Sequence, residues 1–401
     1  MKTIYWVNYA ACTPNENGPT RHFEIAKHLN CSELQCTIVG SSIHHGSQKN
    51  RLVHKERFKS EIHEGINFLW INSSAGKKSI AARIKSMLSF SKNLYTSLVN
   101  SDKKPDIIVG SSPHLPQAFV SYLAAKKLKV PFYLEVRDIW PESLVEIGCF
   151  SKLHPGVVVL RLMELFLYRR SKKIISVLPG FKSYLEKNGI NRILIDAPNS
   201  PSVDTNIAIE TEHKNQDEFT FIYAGSHGLA QNLISVVKAA GILQEKTDKN
   251  IKLKFVGGGF EKEGLIKHAQ ENNINNVEFL EAVSKNEISR IIASADAAIL
   301  HLKNLPLFKW GISPNKLYDY MALRKPILFA VNTPFKEFEN GELGIKAEAD
   351  NPEDIAEKML DLSGLSGEKL KTIGDNARQF VNENYSYEKV ANKLRHEFLN
   401  N

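Results

Sequence analysis

The sequence predicts an α/β protein: two Rossmann-like domains of similar size, each built on a doubly wound parallel sheet. Three observations carry this expectation. Strand-like runs alternate with helical patterns along the chain, the rhythm of βαβ units. The rhythm pauses once, near residue 195, and then restarts. And 401 residues are too many for one ordinary hydrophobic core.

In the first half, TIYWVNY reads as the opening strand, followed by a polar loop and the helix TRHFEIAKHLN. PDIIVGSS precedes the helix PQAFVSYLAAKKLK, PFYLEV is the next strand, and KKIISVL leads into the helix GFKSYLEKNG. The stretch DAPNSPSVDTNIAIETEHKNQDE is polar, holds two prolines and lacks periodicity, so it reads as a linker. Domains are therefore expected over residues 1–198 and 199–384. In the second half FTFIYAGS is a strand, with a helix from about Asn232 to Gln244. IKLKFVGGG, VEFLEAV, DAAILHL and PILFAV follow as strands. The tail, residues 385–401, reads YSYEKVANKLRHEFLNN, an amphipathic helix that in a two-lobed fold can cross back onto the first domain.

Composition is globular, 42% hydrophobic and 24% charged, without a low-complexity tract. No run of about 18 apolar residues spans a membrane. MKTIYWVNYA lacks the long apolar stretch and small-residue cleavage site of a signal peptide. Cys12, Cys31, Cys36 and Cys149 show no zinc-type pairing and read as free thiols of a cytoplasmic protein.

The net charge of +8 is unevenly spread. Residues 1–200 carry 28 Lys+Arg against 15 Asp+Glu, a balance of +13, and residues 201–401 carry 24 against 29, a balance of −5. A basic half implies an anionic partner: nucleic acid, a membrane surface or a phosphorylated substrate. The acidic second half and the lack of basic-aromatic interleaving argue against nucleic acid. Two segments suit an anionic membrane surface. Gly76–Val99 sets Ile80, Ile84, Met87, Leu88, Leu94 and Leu98 at helical spacing among Lys77, Lys78, Arg83, Lys85 and Lys92. Gly156–Lys173, GVVVLRLMELFLYRRSKK, is apolar with a basic end. A helix packed on its own sheet also explains either pattern.

Open parallel sheets bind ligands beyond the carboxyl ends of their strands, and four such ends in the second half carry candidates. In YAGSHGLAQN, Gly225 and Gly228 let backbone N–H groups approach an anion, with Ser226, His227 and Gln231 beside them. FVGGGFEKEG offers Gly257 in a nucleotide-sugar loop or a plain turn, but Lys262 stands where a dinucleotide fingerprint has its last glycine. FLEAVSKNEISRIIASAD ends a strand near Glu281 and opens a helix with Ser284 and Glu287 as a capping box. SPNKLYDYMALRKPIL opens a helix that Ser313 or Asn315 can cap. Lys316 in its first turn opposes the helix dipole, so a nearby anion would explain it. Asp319 lies one turn on, facing the same side. Either the two form an ion pair, or Lys316 holds a diphosphate while Asp319 accepts from ribose hydroxyls.

Taken in order, EVRDIWPES (Glu135–Ser143), IISVLPGFKSYL, APNSPSVD, YAGSHGLAQNL, FVGGGFEKEGL and SPNKLYDYMALRKPIL resemble the GT-B glycosyltransferases of family four. Within that family the resemblance is to the WbuB-like subfamily of bacterial surface polysaccharide synthesis (O-antigen or capsule), and it runs nearly end to end. It implies two lobes facing a cleft, a nucleotide-sugar donor on the second, an acceptor on the first, transfer with retention, and neither metal nor other cofactor. The donor it implies is a UDP-linked N-acetylated deoxysugar such as UDP-N-acetyl-L-fucosamine. The acceptor is a polyprenyl-diphosphate-linked saccharide, met by a cytoplasmic protein peripheral at the inner face of the plasma membrane.

Donor-binding residues would be Gly225, Ser226, His227, Gln231, Gly257, Glu281, Ser313, Asn315, Lys316 and Asp319. The acceptor side would use Gly18, His114, Arg137, Asp138 and Glu142, with Asp138, Glu142 and Lys316 as catalytic residues. Asp138 and Glu142 would position the acceptor or act as base; alternatively Arg137 pairs with either in a local network. His114 contacts ligand or caps a helix. The family's two glutamates, eight positions apart, become Gly311 and Asp319 here. Its arginine and lysine after the YAG strand are missing, which leaves Lys316 as the clearest diphosphate cation. Two further classes stay open: a sugar-nucleotide 2-epimerase, which needs no lipid acceptor, and a non-catalytic nucleotide-sugar binder, which turnover would distinguish.

Overall fold

The computed structural model describes every residue except 17, 45–48, 53–55, 75–79, 102, 204, 206–217 and 401. Lys77, Lys78 and most of the expected linker lie outside the described residues, as do the side chains of Ile80 and Arg83. The chain forms two compact units. Unit 1 is Met1–Asn199, Trp310–Ser313 and Tyr387–Asn401; unit 2 is Ser200–Lys309 and Pro314–Ser386.

Unit 1 holds strands β1 (Lys2–Val7), β2 (Leu34–Ser41), β3 (Phe58–His63), β4 (Ile66–Ile71), β5 (Ile107–Ser111), β6 (Phe132–Val136), β7 (Lys173–Ser176) and β8 (Leu194–Asp196). They form one sheet in the order β3-β4-β2-β1-β5-β6-β7-β8. All pairings are parallel except the β3–β4 hairpin at the edge. Helices α1 (Arg21–Leu29), α2 (Ile80–Val99), α3 (Leu115–Leu128), α4 (Glu142–Glu146), α5 (Pro155–Arg170) and α6 (Phe181–Lys187) connect them. Covered on both faces, the central strands are continuous apolar runs, such as IIVGS in β5 with every residue buried.

Unit 2 holds β9 (Glu218–Ala224), β10 (Asn250–Val256), β11 (Val277–Leu280), β12 (Ala297–His301), β13 (Ile327–Ala330) and β14 (Gly344–Lys346). The order is β11-β10-β9-β12-β13-β14, parallel throughout. Its helices are α7 (Ile234–Lys246), α8 (Lys262–Glu271), α9 (Lys285–Ser294), α10 (Asn315–Ala322), α11 (Lys336–Glu339), α12 (Pro352–Ser363) and α13 (Gly367–Asn384). This is the Rossmann order, and unit 1 repeats it from β4 onward. The strand order reverses between β1 and β5 in one sheet and between β9 and β12 in the other, where a crevice opens. Helix α7 starts two residues later than the sequence suggests. Asn232 is left-handed (φ 41°) and its Nδ2 holds Asp350 Oδ1 at 2.6 Å, which keeps it out of the helix.

The last helix, α14 (Tyr387–Leu399), belongs to unit 1. Leu394 and Phe398 are fully buried in its core, where Phe398 meets the edge of Trp6. Lys2 Nζ donates to the carbonyls of Phe398 (3.2 Å) and Leu399 (2.8 Å), capping the helix end. Each buried apolar side chain of this size contributes about 1.5–3 kcal/mol. Trp310–Ser313 also belongs to unit 1, through contacts between residues far apart in sequence. Gly180 N–H donates to Trp310 O (2.8 Å), and a side chain on Gly180 would fall 2.6 Å from that oxygen. Trp310 packs edge-on against Tyr184, with ring centroids 5.7 Å apart.

Candidate functional site

In unit 2 the crevice is built from two glycine loops and the start of α10. Gly225 follows β9 at φ +144°, and a Cβ there would lie 2.7 Å from Lys316 Nζ. Only a glycine lets the lysine come so close. The Lys316 ammonium lies 3.9 Å from the Tyr223 ring centroid and donates to Tyr223 Oη, whose own proton goes to Ser226 O (2.7 Å). The lysine keeps some exposure along its stem, but its charged end sits deep among protein atoms. Burial pushes its pKa down to about 7, and among the described residues no carboxylate pairs with it.

The second loop locks onto the first. A Cβ on Gly257 (φ +139°) would fall 2.0 Å from Gly225 O. His227 N–H donates to Gly258 O (2.9 Å), and His227 O accepts from Glu261 N (3.0 Å). This lodges the His227 ring, fully buried, among Tyr223, Phe255 and Phe279. Among the described residues neither ring nitrogen has a hydrogen-bond partner. Burial, with the charges of Lys262 and Lys316 nearby, lowers its pKa to about 4. Lys262 bridges the neighbouring strand ends instead: its ammonium donates to Gly257 O (3.1 Å), Leu280 O (2.9 Å) and Glu281 Oε1 (2.7 Å).

In unit 1 the crevice is floored by a closed polar network. Glu135 Oε1 accepts from Arg21 Nε (3.0 Å), while Oε2 accepts from Ser111 Oγ (2.5 Å), Trp6 Nε1 (3.2 Å) and His22 Nε2 (2.7 Å). His22 Nδ1 accepts a hydrogen bond from Asn8 Nδ2 (3.0 Å), so Nε2 carries the ring proton. Arg21 also donates to Ala197 O, Pro198 O and Asn199 Oδ1. Burial would raise the Glu135 pKa, but His22 and Arg21 outweigh it and hold the carboxyl well below its ordinary value.

Beyond this network stands Arg137. Its backbone N–H donates to Ser112 Oγ (3.0 Å), yet Nε is buried without a partner. Among the described residues its guanidinium forms no ion pair. Burial raises the Asp138 pKa, against Ser143, the Ile139 N–H and the Arg137 charge.

Residues 204–380 match the family model for Glycosyl transferases group 1. That stretch is a glycosyltransferase group 1 domain. The probable glycosyltransferase WbjE of Pseudomonas aeruginosa is 23% identical, over 74% of this chain and 76% of its own length. An uncharacterized glycosyltransferase of Methanocaldococcus jannaschii is also 23% identical, over 72% of this chain and 74% of its own. The solved structure of sucrose-phosphate synthase from Thermosynechococcus elongatus is similar, with TM-score 0.73, 12% identity, and 100% and 99% of the two chains covered. Anabaena HepE in complex with UDP and glucose gives TM-score 0.71 at 12% identity, with both chains fully covered (100%). At such identities the likeness speaks for the fold, an α/β GT-B arrangement of two parallel-sheet units.

Within the group 1 domain the crevice brings together Gly225, Ser226, His227, Gly257 and Lys316. Gln231 turns away: its Oε1 accepts from Gly228 N (3.2 Å) and its carbonyl from His301 Nδ1 (2.6 Å). Glu281 is exposed and ion-paired to Lys262. Asp319 Oδ1 accepts from Ser202 N (2.9 Å) and makes no ion pair with Lys316. Neither Ser313 nor Asn315 caps α10, contrary to expectation, because Pro314 is the residue before it and no side chain caps the helix. Ser313 instead belongs to unit 1, its Oγ accepting from Asn199 N (3.1 Å), and Asn315 Oδ1 is buried without a partner. Ser284 does cap α9, accepting from Glu287 N (3.3 Å).

On the unit 1 side, His114 caps α3 through Nδ1, which accepts from Gln117 N (2.9 Å), and stacks on Tyr9. Its Nε2 is buried without a partner. Gly18 is exposed in the loop before α1, and Glu142 opens α4 behind Pro141. Arg137 pairs with neither Asp138 nor Glu142, so the local network that the sequence allows does not form. Three further residues, Tyr223, Arg21 and His22, are absent from the set the sequence points to. Tyr223 had a signal, since it lies two residues before Gly225 and alternation aims it off the strand end beside the glycine. Arg21 and His22 had none beyond opening a helix after a strand.

Proposed function

We propose that this group 1 glycosyltransferase moves a sugar from a nucleoside-diphosphate donor, UDP-linked by preference, to a lipid-linked saccharide of surface polysaccharide synthesis. Transfer proceeds with retention and without a metal. The observation that carries the reading is the Lys316 ammonium, sunk against Gly225 with no carboxylate among the described residues to neutralise it. A buried cation without a counter-ion is costly unless a ligand supplies the charge. The diphosphate supplies it, and as the glycosidic bond breaks the growing charge on the leaving phosphate is met by Lys316 and by backbone N–H groups of the Gly225 loop. His227 then finds a partner for a ring nitrogen. Gly257 and Ser226 shape the pocket, and Asp319 sits one turn from Lys316 for the ribose side. On unit 1, the guanidinium of Arg137 offers a contact for the acceptor's diphosphate. Asp138, its proton affinity raised by burial, and Glu142 position the attacking hydroxyl, with His114 and Gly18 on neighbouring loops. The complex of HepE with UDP and glucose supports UDP, and WbjE supports the transferase class. An N-acetylated deoxysugar such as N-acetyl-L-fucosamine is the donor sugar that the sequence resemblance favours.

Thermal unfolding with UDP, GDP, TDP, ADP and CMP, for wild type beside Lys316→Ala, tests the donor site. Ligand at about 100 times its dissociation constant stabilises by about 2.7 kcal/mol. The expected result is a shift with UDP that the substitution abolishes. No shift with any nucleotide, or an equal shift in Lys316→Ala, would overturn the assignment.

A further inference from the structure

The edges of the two sheets are not alike. Those at β8, β11 and β14 are short, at three, four and three residues, which is one way natural proteins keep an edge from pairing with another chain. The edge of unit 1 at β3, FKSEIH, is six residues long. Phe58 is 53% exposed on it and Ile62 is 70% exposed. The strand is held on one side, in an antiparallel hairpin with β4 whose turn sets Glu64 and Gly65 at positive φ (48° and 77°). Just before it, Arg57 O accepts from Asn72 N (2.9 Å), which fixes the phase of that ladder. Lys59, Glu61 and His63 therefore turn their backbone groups toward β4, while Phe58, Ser60 and Ile62 turn theirs outward. Among the described residues no strand lies beyond them.

We propose that β3 pairs with β3 of a second copy of this chain, antiparallel about a two-fold axis at Ser60, so that two eight-stranded sheets continue into each other. In this register the strand is complementary to itself. The backbone N–H and C=O of Ser60 meet those of Ser60 in the second copy. Phe58 faces Ile62 on one side of the sheet and Lys59 faces Glu61 on the other, each in both directions. Within one chain Lys59 Nζ lies 2.8 Å from Glu61 Oε1, so the two pairs close into a ring of alternating charge. Glu61 is held in place for this by Trp70 Nε1 (2.8 Å) and His63 Nε2 (3.1 Å), which bond its other oxygen. A shift of two residues either way sets Lys59 against Lys59 or Glu61 against Glu61. A shift of one residue brings the outward backbone groups out of phase. A lysine on an edge ordinarily repels an added strand. Here the carboxylate two residues on answers it, and charge selects both the register and the partner. One strand makes a small interface, so the dimer forms and dissociates with concentration. The pairing lies within unit 1 and stands without the donor site.

The test is sedimentation velocity of the purified full chain over a dilution series. Wild type is compared with Ser60→Pro, with Lys59→Glu and, for an equal change of charge at an exposed position of unit 2, with Lys238→Glu. Ser60→Pro removes an outward N–H that β4 does not use, the kind of strand position that admits proline. Lys59→Glu sets a carboxylate against Glu61 of the second copy. The expected result is a wild-type dimer that Lys238→Glu keeps, that Lys59→Glu weakens about tenfold or more, and that Ser60→Pro abolishes. Amide hydrogen exchange over residues 57–63 should slow as the dimer forms. A monomer at every concentration would overturn the proposal, as would a dimer that both β3 variants leave intact. So would a dimer that forms with exchange over residues 57–63 unchanged, which would place the interface elsewhere. Thermal unfolding of each variant shows whether it is folded. Should Ser60→Pro not fold, Lys59→Glu decides alone, because its side chain is exposed and takes no part in the backbone ladder.

Discussion

The two sheets share a strand order, and each places basic side chains at the point where that order reverses, yet they treat the charge in opposite ways. In unit 1 Arg21 and His22 are closed off by Glu135, Asn8 and three residues at the end of the β8 segment. In unit 2 neither Lys316 nor His227 has such a partner among the described residues. The same topological position is thus closed by the protein itself in one unit and, on the proposed reading, left for a ligand in the other. What separates the roles is whether the protein itself neutralises the buried polar group. Substitutions on either side can break that contrast.

The largest effect belongs to the closed network. Glu135→Ala leaves Arg21 buried without its carboxylate, which costs about 3–5 kcal/mol. Chemical denaturation reads it directly. The folded Glu135 pKa lies below the unfolded one, so its stabilisation is present above about pH 4.3 and is lost as pH falls through the folded value. Wild type should therefore lose stability in acid more steeply than Glu135→Gln. A cost under about 1 kcal/mol for Glu135→Ala would erase the distinction between the two crevices.

Next is Gly225→Ala, on the open side. The φ of +144° and the 2.7 Å approach of Lys316 Nζ leave no room for a Cβ without strain. The variant should lose about 2 kcal/mol and push the ammonium from its seat, weakening UDP binding about tenfold or more in calorimetry. Normal UDP affinity in a folded Gly225→Ala protein would mean that Lys316 is not held where the donor's phosphates lie.

Much of this contrast is hidden from the sequence. The sheets themselves are legible, because strands covered on both faces are apolar runs and their alternation with helices repeats. The place of Lys316 at the crevice is legible too, since a lysine in the first turn of a helix is locally unfavourable and draws the eye to that strand end. Glu135 is not. It stands beside the Arg137, Asp138 and Glu142 from which the sequence allows a local network, but it pairs with Arg21, 114 residues away. The membership of Trp310–Ser313 in unit 1 is equally silent. It depends on Gly180 admitting the Trp310 carbonyl and on Gly311 (φ +87°) lying against Pro179, contacts with no local signature. Local conflict can be read from a sequence, whereas long-range satisfaction cannot.

The pH dependence of donor binding sharpens the open side. The folded Lys316 pKa of about 7 lies below the value of about 10.4 expected unfolded. Between those values the folded empty protein binds fewer protons than the unfolded chain, so this group's contribution to stability rises with pH. A diphosphate needs the charged form, so its affinity runs the other way. It should fall about tenfold from pH 7.5 to 8.5, a range in which the nucleotide's own charge is constant. Lys316→Arg, permanently charged, should flatten the profile if it binds at all. A flat profile in wild type would mean that Lys316 is charged before the donor arrives.

The smallest stability effect is expected where the contrast is sharpest, at the two buried histidines. His22→Phe removes hydrogen bonds to Glu135 and Asn8 and leaves both partners short, which costs about 1–3 kcal/mol. His227→Phe removes two ring nitrogens that have no partner, inside a pocket of Tyr223, Phe255 and Phe279 that already favours an aromatic ring. Its folding free energy should stay within about 1 kcal/mol of wild type, since no hydrogen bond is lost and the ring volume changes little. UDP affinity is the quantity that should move, because on the proposed reading the ligand gives the buried nitrogen its partner. A strongly destabilised His227→Phe would place the histidine with His22 as a structural residue. An unchanged stability together with unchanged UDP affinity would leave Lys316 to hold the diphosphate without it.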